Sequence, residues 1–198
     1  MVTQTADRRS AILSSAAELF AQQGVRSSTV RQIADRVGML SGSLYHHFPS
    51  KDAIVREIVT SYLADLRERY SRVLAMNLAP RARLEQLIHA SLLAAEAAPD
   101  ATVVYQNEMS YIRGLPEFEE VKAATAEVQQ TWLGAIEAGR ADGSFRTDIE
   151  PRVFYRFLRD AVWLSVRWYR PEGSYTVDQL AEDCASLFLD GYAAFDDD

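Results

Sequence analysis

Apolar residues recur at helical spacing along almost the whole chain, and no stretch shows the alternation expected of a β-strand. The first helical stretch ends before Gly24. The second begins at Thr29, whose spacing to Gln32 is that of a capping box, and it ends at Gly38. A very short third stretch begins at Ser41. The pattern therefore predicts three short helices within the first 50 residues.

Longer amphipathic stretches follow. Ser50 is a good N-cap for a helix over about 51–76, and prolines fall at or near the later breaks, where a helix tolerates them. Further helices are predicted over about 81–97, 100–113, 116–141, 151–169 and 176–195. We therefore expect an all-α protein of about nine helices, with a three-helix helix-turn-helix head over residues 1–50 and a larger body over residues 51–198.

Composition narrows the class of protein only a little. The chain of 198 residues is 48% apolar and 25% charged, which is ordinary for a globular protein. It shows no signal-peptide core, and no apolar run reaches the roughly 18 residues of a membrane span. A single cysteine, Cys184, cannot form an intramolecular disulfide. These features favour the cytoplasm and give no sign of a membrane.

The charge is divided unevenly between the two ends of the chain. The first 60 residues hold seven Lys and Arg against five Asp and Glu, a net charge of +2. The remaining residues carry a net charge of −9, which gives −7 for the whole chain. A basic head in front of an acidic body suits a protein whose head approaches phosphates.

The third helix carries chemistry suited to a DNA groove. Small side chains at its start let the backbone approach base edges in the major groove, and polar side chains after them can contact phosphates. A lysine at the start of the next helix adds a positive charge beside a helix N-terminus. We predict that DNA is contacted by Thr29, Arg31, Ser41, Gly42, Ser43, Tyr45, His46, His47 and Lys51.

Each of these residues also has a structural interpretation. Tyr45 could be an exposed edge of a three-helix core, and Lys51 a solvated lysine. The neighbouring His46 and His47 suggest a metal only weakly, because adjacent helical positions point about 100° apart and no other His or Cys is near in the sequence. We predict no metal site.

The letters of this region carry a specific resemblance. Residues 28–54 read STVRQIADRVGMLSGSLYHHFPSKDAI, which resembles the TetR-family DNA-binding signature from its Thr-x-Arg-x-Ile-Ala opening to its Leu-Tyr-x-His-Phe recognition helix and the Ser-Lys after it. The resemblance covers roughly residues 7–56. It implies a dimeric, ligand-controlled transcription repressor that binds a palindromic operator, with the DNA contacts at the positions named above.

The most informative segment of the body is residues 153–171, VFYRFLRDAVWLSVRWYRP. Arg159, Trp163 and Arg167 are spaced at i, i+4 and i+8, so they are predicted to share one helical face. Guanidinium groups bind phosphate and indole stacks on a ring, so this face suits an anionic ligand with a flat part. The alternatives are surface ion pairs, for example with Glu108, Glu119 or Glu120, or a dimer seam.

Within the TetR family, this segment together with SGSLYHHF resembles the actinobacterial repressors of late steroid-ring (cholesterol ring C/D) catabolism genes. That resemblance implies an effector that is a coenzyme A thioester of a steroid fragment, and no cofactor. It carries effector contacts over to Arg159, Trp163 and Arg167. Residues near Tyr105, Tyr111, Trp132 and Leu133 would line the rest of the site.

The family resemblance also implies a homodimer formed by the last two helices. A single short recognition helix reads only a half-site, so two copies related by a two-fold axis are needed to read a palindrome. The apolar residues available for this interface, which could equally form the core of one subunit, are Phe154, Phe157, Val162, Leu180, Leu187, Phe188, Tyr192 and Phe195.

Other functions stay open at this point. A TetR-type regulator could respond instead to a fatty acyl-CoA or to a drug, although arginines suit a cationic drug poorly. A dimer that binds an acyl-CoA but no DNA is a further alternative. An enzyme is disfavoured because no nucleophile elbow, metal-ligand spacing or Gly-rich phosphate loop appears, and we predict no catalytic residue.

Overall fold

The computed structural model describes residues 2–114 and 118–191, with side chains from residue 7 onward. These residues form ten α-helices and no β-strand, which confirms the all-α class with a helix-turn-helix at the N-terminus. The helices are α1 (Val2–Gln23), α2 (Val30–Arg36), α3 (Ser41–Tyr45), α4 (Lys51–Ala75), α5 (Pro80–Ala97), α6 (Pro99–Asn107), α7 (Met109–Arg113), α8 (Glu119–Ala141), α9 (Pro151–Trp163) and α10 (Val177–Ala185).

The chain folds into two compact units. The first contains residues 1–63 and 100–122, and the second contains residues 64–99 and 123–198. The chain therefore passes between the units three times, once within α4, once at the first residue of α6, and once within α8. The predicted division into a DNA-binding domain, 1–50, and an effector-binding domain, 51–198, concerns function and stays a prediction.

Local signals in the sequence set the helix ends of the first unit. Thr29 and Gln32 form the predicted capping box, with the Gln32 amide donating to Thr29 Oγ1 at 3.2 Å and the Thr29 amide donating to Gln32 Oε1 at 2.8 Å. Gly38 ends the turn after α2 with a φ of +65°, a conformation that favours glycine. Ser50 Oγ accepts a hydrogen bond from the Ala53 amide at 3.1 Å and caps α4 as predicted.

In the second unit α5 packs against α9 and α10. The capping box predicted at Thr176 and Gln179 opens α10. The core of this unit contains four buried aromatic side chains from three helices, namely Tyr70, Trp132, Tyr155 and Trp163. Each such ring buries about 150–250 Å² of largely apolar surface.

Three predicted helices differ from the observed ones. The helix expected over 100–113 is divided at Glu108, whose carboxylate is bonded to another part of the chain. The helix expected over 151–169 leaves the α conformation after Trp163 and continues as a 3₁₀ helix, Leu164–Arg167. The last helix changes after Ala185 into a π-helical turn, Ser186–Asp190. Residues 115–117 and 192–198, including Pro116, Tyr192 and Phe195, lie outside the described residues.

Within the described residues no single helix is long and apolar enough to span a membrane. The consecutive helices Pro80–Ala97 and Pro99–Asn107 pass such a test of length and composition only when taken together across a bend.

Candidate nucleic-acid interface and effector region

The third helix, α3, has one buried face and one exposed face. Leu44 and Phe48 are buried beneath it, as predicted, whereas Gly42, Tyr45 and His46 are exposed. No side chain caps the start of α3, so its first amide groups are not occupied by a side chain. The helix thus presents small and polar groups outward from an apolar base, which is the arrangement that a recognition helix requires.

The start of α2 presents two of the other predicted contacts. Thr29 and Arg31 are exposed, and Thr29 also closes the capping box. The Arg31 guanidinium has a weak partner, Asp35, at 3.8 Å. By contrast Arg36, on the same helix, binds Glu18 at 3.3 Å and Gln22 at 2.9 Å. Arg31 is therefore better placed than Arg36 to exchange its partner for a phosphate or a base edge.

Lys51 has a structural role that the sequence does not reveal. Its ammonium group donates to the backbone oxygens of Val25 at 2.6 Å and Ser28 at 2.8 Å, which joins the turn between α1 and α2 to the start of α4. Lys51 is half-buried, and two of its three protons are used inside the protein. Its predicted contact with phosphate stays a prediction, but the interpretation as a solvated lysine is wrong.

Replacing Lys51 by methionine keeps the aliphatic stem and removes the ammonium group. We expect this change to lower the free energy of unfolding by about 1–3 kcal/mol, because two carbonyl groups lose a charged donor. Urea unfolding measures the change. The matched control is Lys122→Met, which removes a lysine paired at the surface with Glu119 and should cost less than about 1 kcal/mol. Equal effects of the two changes would contradict the structural role of Lys51.

Arg9 is a further residue of the head that sequence reasoning missed. Its guanidinium donates to the backbone oxygen of His47 at 2.7 Å, forms an ion pair with Glu57, and lies 4.1 Å from the centre of the Phe48 ring. It therefore fixes the chain directly after α3 to both α1 and α4. Only the basic charge of the first 60 residues hinted at it, and that charge does not distinguish Arg9 from its neighbours.

The two tryptophans predicted to contact an effector lie in the core of the second unit. Trp132 and Trp163 have exposed fractions of 0% and 1%, and their ring centres are 6.0 Å apart. The Trp132 indole donates to the Tyr70 hydroxyl at 2.8 Å, and this hydroxyl lies 2.6 Å from Ser91 Oγ, which in turn donates to the Leu87 carbonyl. The Trp132 indole N–H and the hydroxyls of Tyr70 and Ser91 thus all have hydrogen-bond partners within the protein.

The arginines beside Trp163 are arranged differently from the prediction. Because α9 ends at Trp163 and Arg167 lies in a 3₁₀ helix, where successive residues turn by about 120° rather than 100°, the i, i+4, i+8 register does not reach Arg167. The Ser165 hydroxyl donates to the Val162 carbonyl and competes with the α-helical pattern there. The prediction of one continuous face is therefore wrong, while the role of these residues as effector contacts stays a prediction.

Arg159 forms an ion pair with the next residue of α9. Its guanidinium donates twice to Asp160, at 2.8 and 2.6 Å, rather than to the glutamates considered from the sequence. Arg159 is half-buried and Arg167 is exposed. The ion pair of Arg159 is with an exposed neighbour, and such pairs exchange readily for a phosphate.

Tyr105, the fifth predicted effector contact, belongs to the first compact unit. It is buried, and its ring centre lies 5.5 Å from that of Tyr62 on α4. Tyr111, on α7, is also in this unit, and its hydroxyl donates to Asp52 at the start of α4. Both tyrosines therefore contact the helix that begins in the head.

Comparison with known proteins decides the family. A family model described as bacterial regulatory proteins, tetR family, matches residues 12–58. A second model, described as the tetracyclin repressor-like C-terminal domain, matches residues 77–192 and so covers more than half of the chain. The chain belongs to the TetR family. The resemblance inferred from residues 28–54 is confirmed.

Several TetR-family repressors match almost the whole chain. The HTH-type transcriptional repressor KstR2 of Rhodococcus jostii is 46% identical over 187 residues, which are 94% of this chain and 92% of the relative. KstR2 of Mycolicibacterium smegmatis is 40% identical over 189 residues, 96% of this chain and 92% of the relative. This chain is accordingly a TetR-type transcriptional repressor with a DNA-binding helix-turn-helix.

A solved structure extends the likeness to the fold. The ketosteroid transcriptional regulator KstR2 of Mycobacterium tuberculosis matches with a TM-score of 0.88 at 38% identity, covering 95% of this chain and 96% of the other. The likeness includes the body as well as the head. The closer resemblance within the TetR family, to repressors of steroid-catabolism genes, is confirmed as a likeness in sequence and in fold.

Proposed function

We propose that this TetR-family repressor binds a palindromic operator as a homodimer and is released by a coenzyme A thioester of a steroid-catabolism intermediate. The observation that carries the steroid part is the near full-length likeness to KstR2, since one such relative is a ketosteroid transcriptional regulator. The thioester part is supported by the arginines of residues 156–170, whose guanidinium groups suit the phosphates of coenzyme A. A cofactor, a metal and a catalytic residue form no part of the proposal.

The homodimer is supported by apolar side chains at the surface of the last helices. Phe157 on α9 is 67% exposed and Leu187, just after α10, is 78% exposed, so each is a large apolar side chain that a second subunit would remove from water. Phe154, Val162 and Leu180 are buried within one subunit, so of the two roles left open for them, interface or core, they have the second. Phe188 is half-buried.

The proposed release works through α4. This helix begins beside the DNA-binding helices at Lys51 and continues into the second compact unit from Ala64 onward. An effector that favours a different arrangement of the body can therefore displace the head, provided that it binds the released form more tightly by about 1–3 kcal/mol. We propose a cytoplasmic location, because a regulator of this kind acts where the chromosome lies.

The test is fluorescence polarisation with palindromic DNA from upstream of the chain's own gene, titrated with steroid-fragment thioesters and with the matching free acids. We expect tight binding that weakens with salt and is relieved by a thioester but not by its acid. Relief by a fatty acyl-CoA or a drug instead would replace the steroid effector. Binding of a thioester without any binding of DNA would favour the alternative of an acyl-CoA-binding dimer.

A further inference from the structure

The short helix α7 and the residue before it contact the DNA-binding head directly. Residues 100–122 form one compact unit with residues 1–63, although more than 35 residues of the chain separate the two segments. Two side chains, Glu108 and Tyr111, make the polar contacts. They reach the turn between α1 and α2 and the first residues of α4, the two places that hold the helix-turn-helix in position.

Glu108 lies at the single-residue break between α6 and α7. Its Oε1 accepts a hydrogen bond from the Val25 amide at 3.2 Å, directly after the end of α1. The fit is close, because a Cβ atom added at Gly24 would lie 3.2 Å from the same oxygen, and Gly24 has a φ of +83°. A larger residue at position 24 would therefore crowd the Glu108 carboxylate, and the positive φ itself favours glycine there.

Tyr111 reaches the start of α4. Its hydroxyl donates to the Asp52 carboxylate, and its ring centre lies 5.2 Å from the Arg26 guanidinium. Burial and the bond to Asp52 raise the pKa of the Tyr111 phenol to about 12. The hydroxyl therefore keeps its proton, and with it the bond, across the physiological pH range.

The two contacts meet a third one at the same turn. Lys51 donates from α4 to the carbonyl groups of Val25 and Ser28, while Glu108 accepts from the amide of the same Val25. The turn of residues 24–28 is therefore held from two helices. Thr29, a predicted DNA contact, follows it immediately.

We propose that Glu108 and Tyr111 are positioning residues for DNA recognition, which hold the turn of residues 24–28 and the start of α4 in the arrangement that binds the operator. The inference rests on the proposed function, because it assumes that the head binds an operator. A head that is held in advance loses less conformational freedom on binding. A hydrogen bond to a charged group changes an equilibrium by roughly tenfold or more, so the loss of both bonds is measurable.

The test compares the full-length protein with Glu108→Ala, Tyr111→Phe and the double variant. Tyr111→Phe removes only the hydroxyl and keeps the ring beside Arg26. Glu108→Gln keeps an oxygen that can accept from Val25, and it is expected to retain most of the affinity. Ser110→Ala, on the exposed side of the same helix, is the matched control.

Affinity is measured by fluorescence polarisation for the palindromic upstream DNA and for a random duplex of the same length, at several salt concentrations. We expect the double variant to bind the operator at least about tenfold more weakly, by the size of the lost bonds. Its affinity for the random duplex and the salt dependence of binding should be unchanged, because no phosphate contact is removed. The Val25 amide should shift in NMR spectra and exchange its hydrogen faster in Glu108→Ala.

Operator affinity of the double variant within about twofold of the wild type, or above it, would overturn the inference, since a tenfold loss is the size of the lost bonds. An equal loss for random DNA would also overturn it, because general damage to the head, and not its arrangement, would then be the cause. A wild-type protein that binds no operator would overturn the proposed function together with this inference. Unchanged variants of a wild type that does bind would overturn the inference alone.

Discussion

Trp163→Ala is expected to lower the free energy of unfolding by about 3–5 kcal/mol, the usual cost of removing a large aromatic side chain from a core. Trp163 is almost completely buried and packs against Trp132, which belongs to the hydrogen-bonded chain through Tyr70. Natural domains are stable by only about 5–15 kcal/mol. We therefore expect a large drop in the midpoint of urea or thermal unfolding.

Trp168→Ala supplies the matched control, five residues further along. Its side chain is 60% exposed, so its loss should cost about 0.5 kcal/mol at most, as is usual at a surface. Similar costs of the two changes would contradict the place of Trp163 in the core. Trp163→Phe keeps an aromatic ring beside Trp132. This variant allows the predicted effector contact to be tested in a folded protein, where a weaker response to a thioester would support the contact.

Arg31→Ala is expected to weaken operator binding by about 1–3 kcal/mol, which is roughly 5- to 150-fold. The Arg31 side chain is 84% exposed and its partner Asp35 lies 3.8 Å away. Binding to DNA would therefore break only a weak surface ion pair. The salt dependence of affinity identifies the group that it contacts. A phosphate contact lowers the slope of log affinity against log salt by about one, whereas a base contact relaxes the sequence preference at one position.

Arg36→Ala is the control for charge, since it removes the same charge from the same helix. Arg36 is already bound to Glu18 and Gln22, and we expect its loss to change operator affinity by less than about 1 kcal/mol. Equal losses for both variants would mean that only the net charge of the head matters. The assignment of Arg31 as a direct contact would then be wrong.

The sequence predicts the features of this fold that depend on neighbouring residues. The capping boxes at Thr29 and Thr176 and the N-cap at Ser50 each involve a side chain and an amide three residues further on. Such bonds depend only on residues that are close in the sequence, so the spacing is enough to predict them where a helix begins. The inward positions of α3 followed from helical periodicity in the same way.

Contacts between distant residues were missed for a corresponding reason. Lys51 and Glu108 bind carbonyl and amide groups of a turn that lies 23 to 83 residues away in the chain, and no local pattern marks a side chain for such a partner. Periodicity also failed at Trp163, where α9 ends; the Ser165 hydroxyl donates to the Val162 carbonyl there, a bond of the kind that competes with the α-helical pattern. Arg159 and Arg167 are eight residues apart, but α9 ends at Trp163 and so does not extend to Arg167.

The central claim is that the effector and the operator bind two different arrangements of this repressor, so that each weakens the binding of the other. Isothermal titration calorimetry tests it most directly, by measuring the Kd of the steroid thioester for the free protein and for the protein saturated with operator. Coupling is reciprocal, so the account predicts that the operator weakens thioester binding by the same factor by which the thioester weakens operator binding, about 5- to 150-fold. An identical thioester Kd with and without operator would contradict the account.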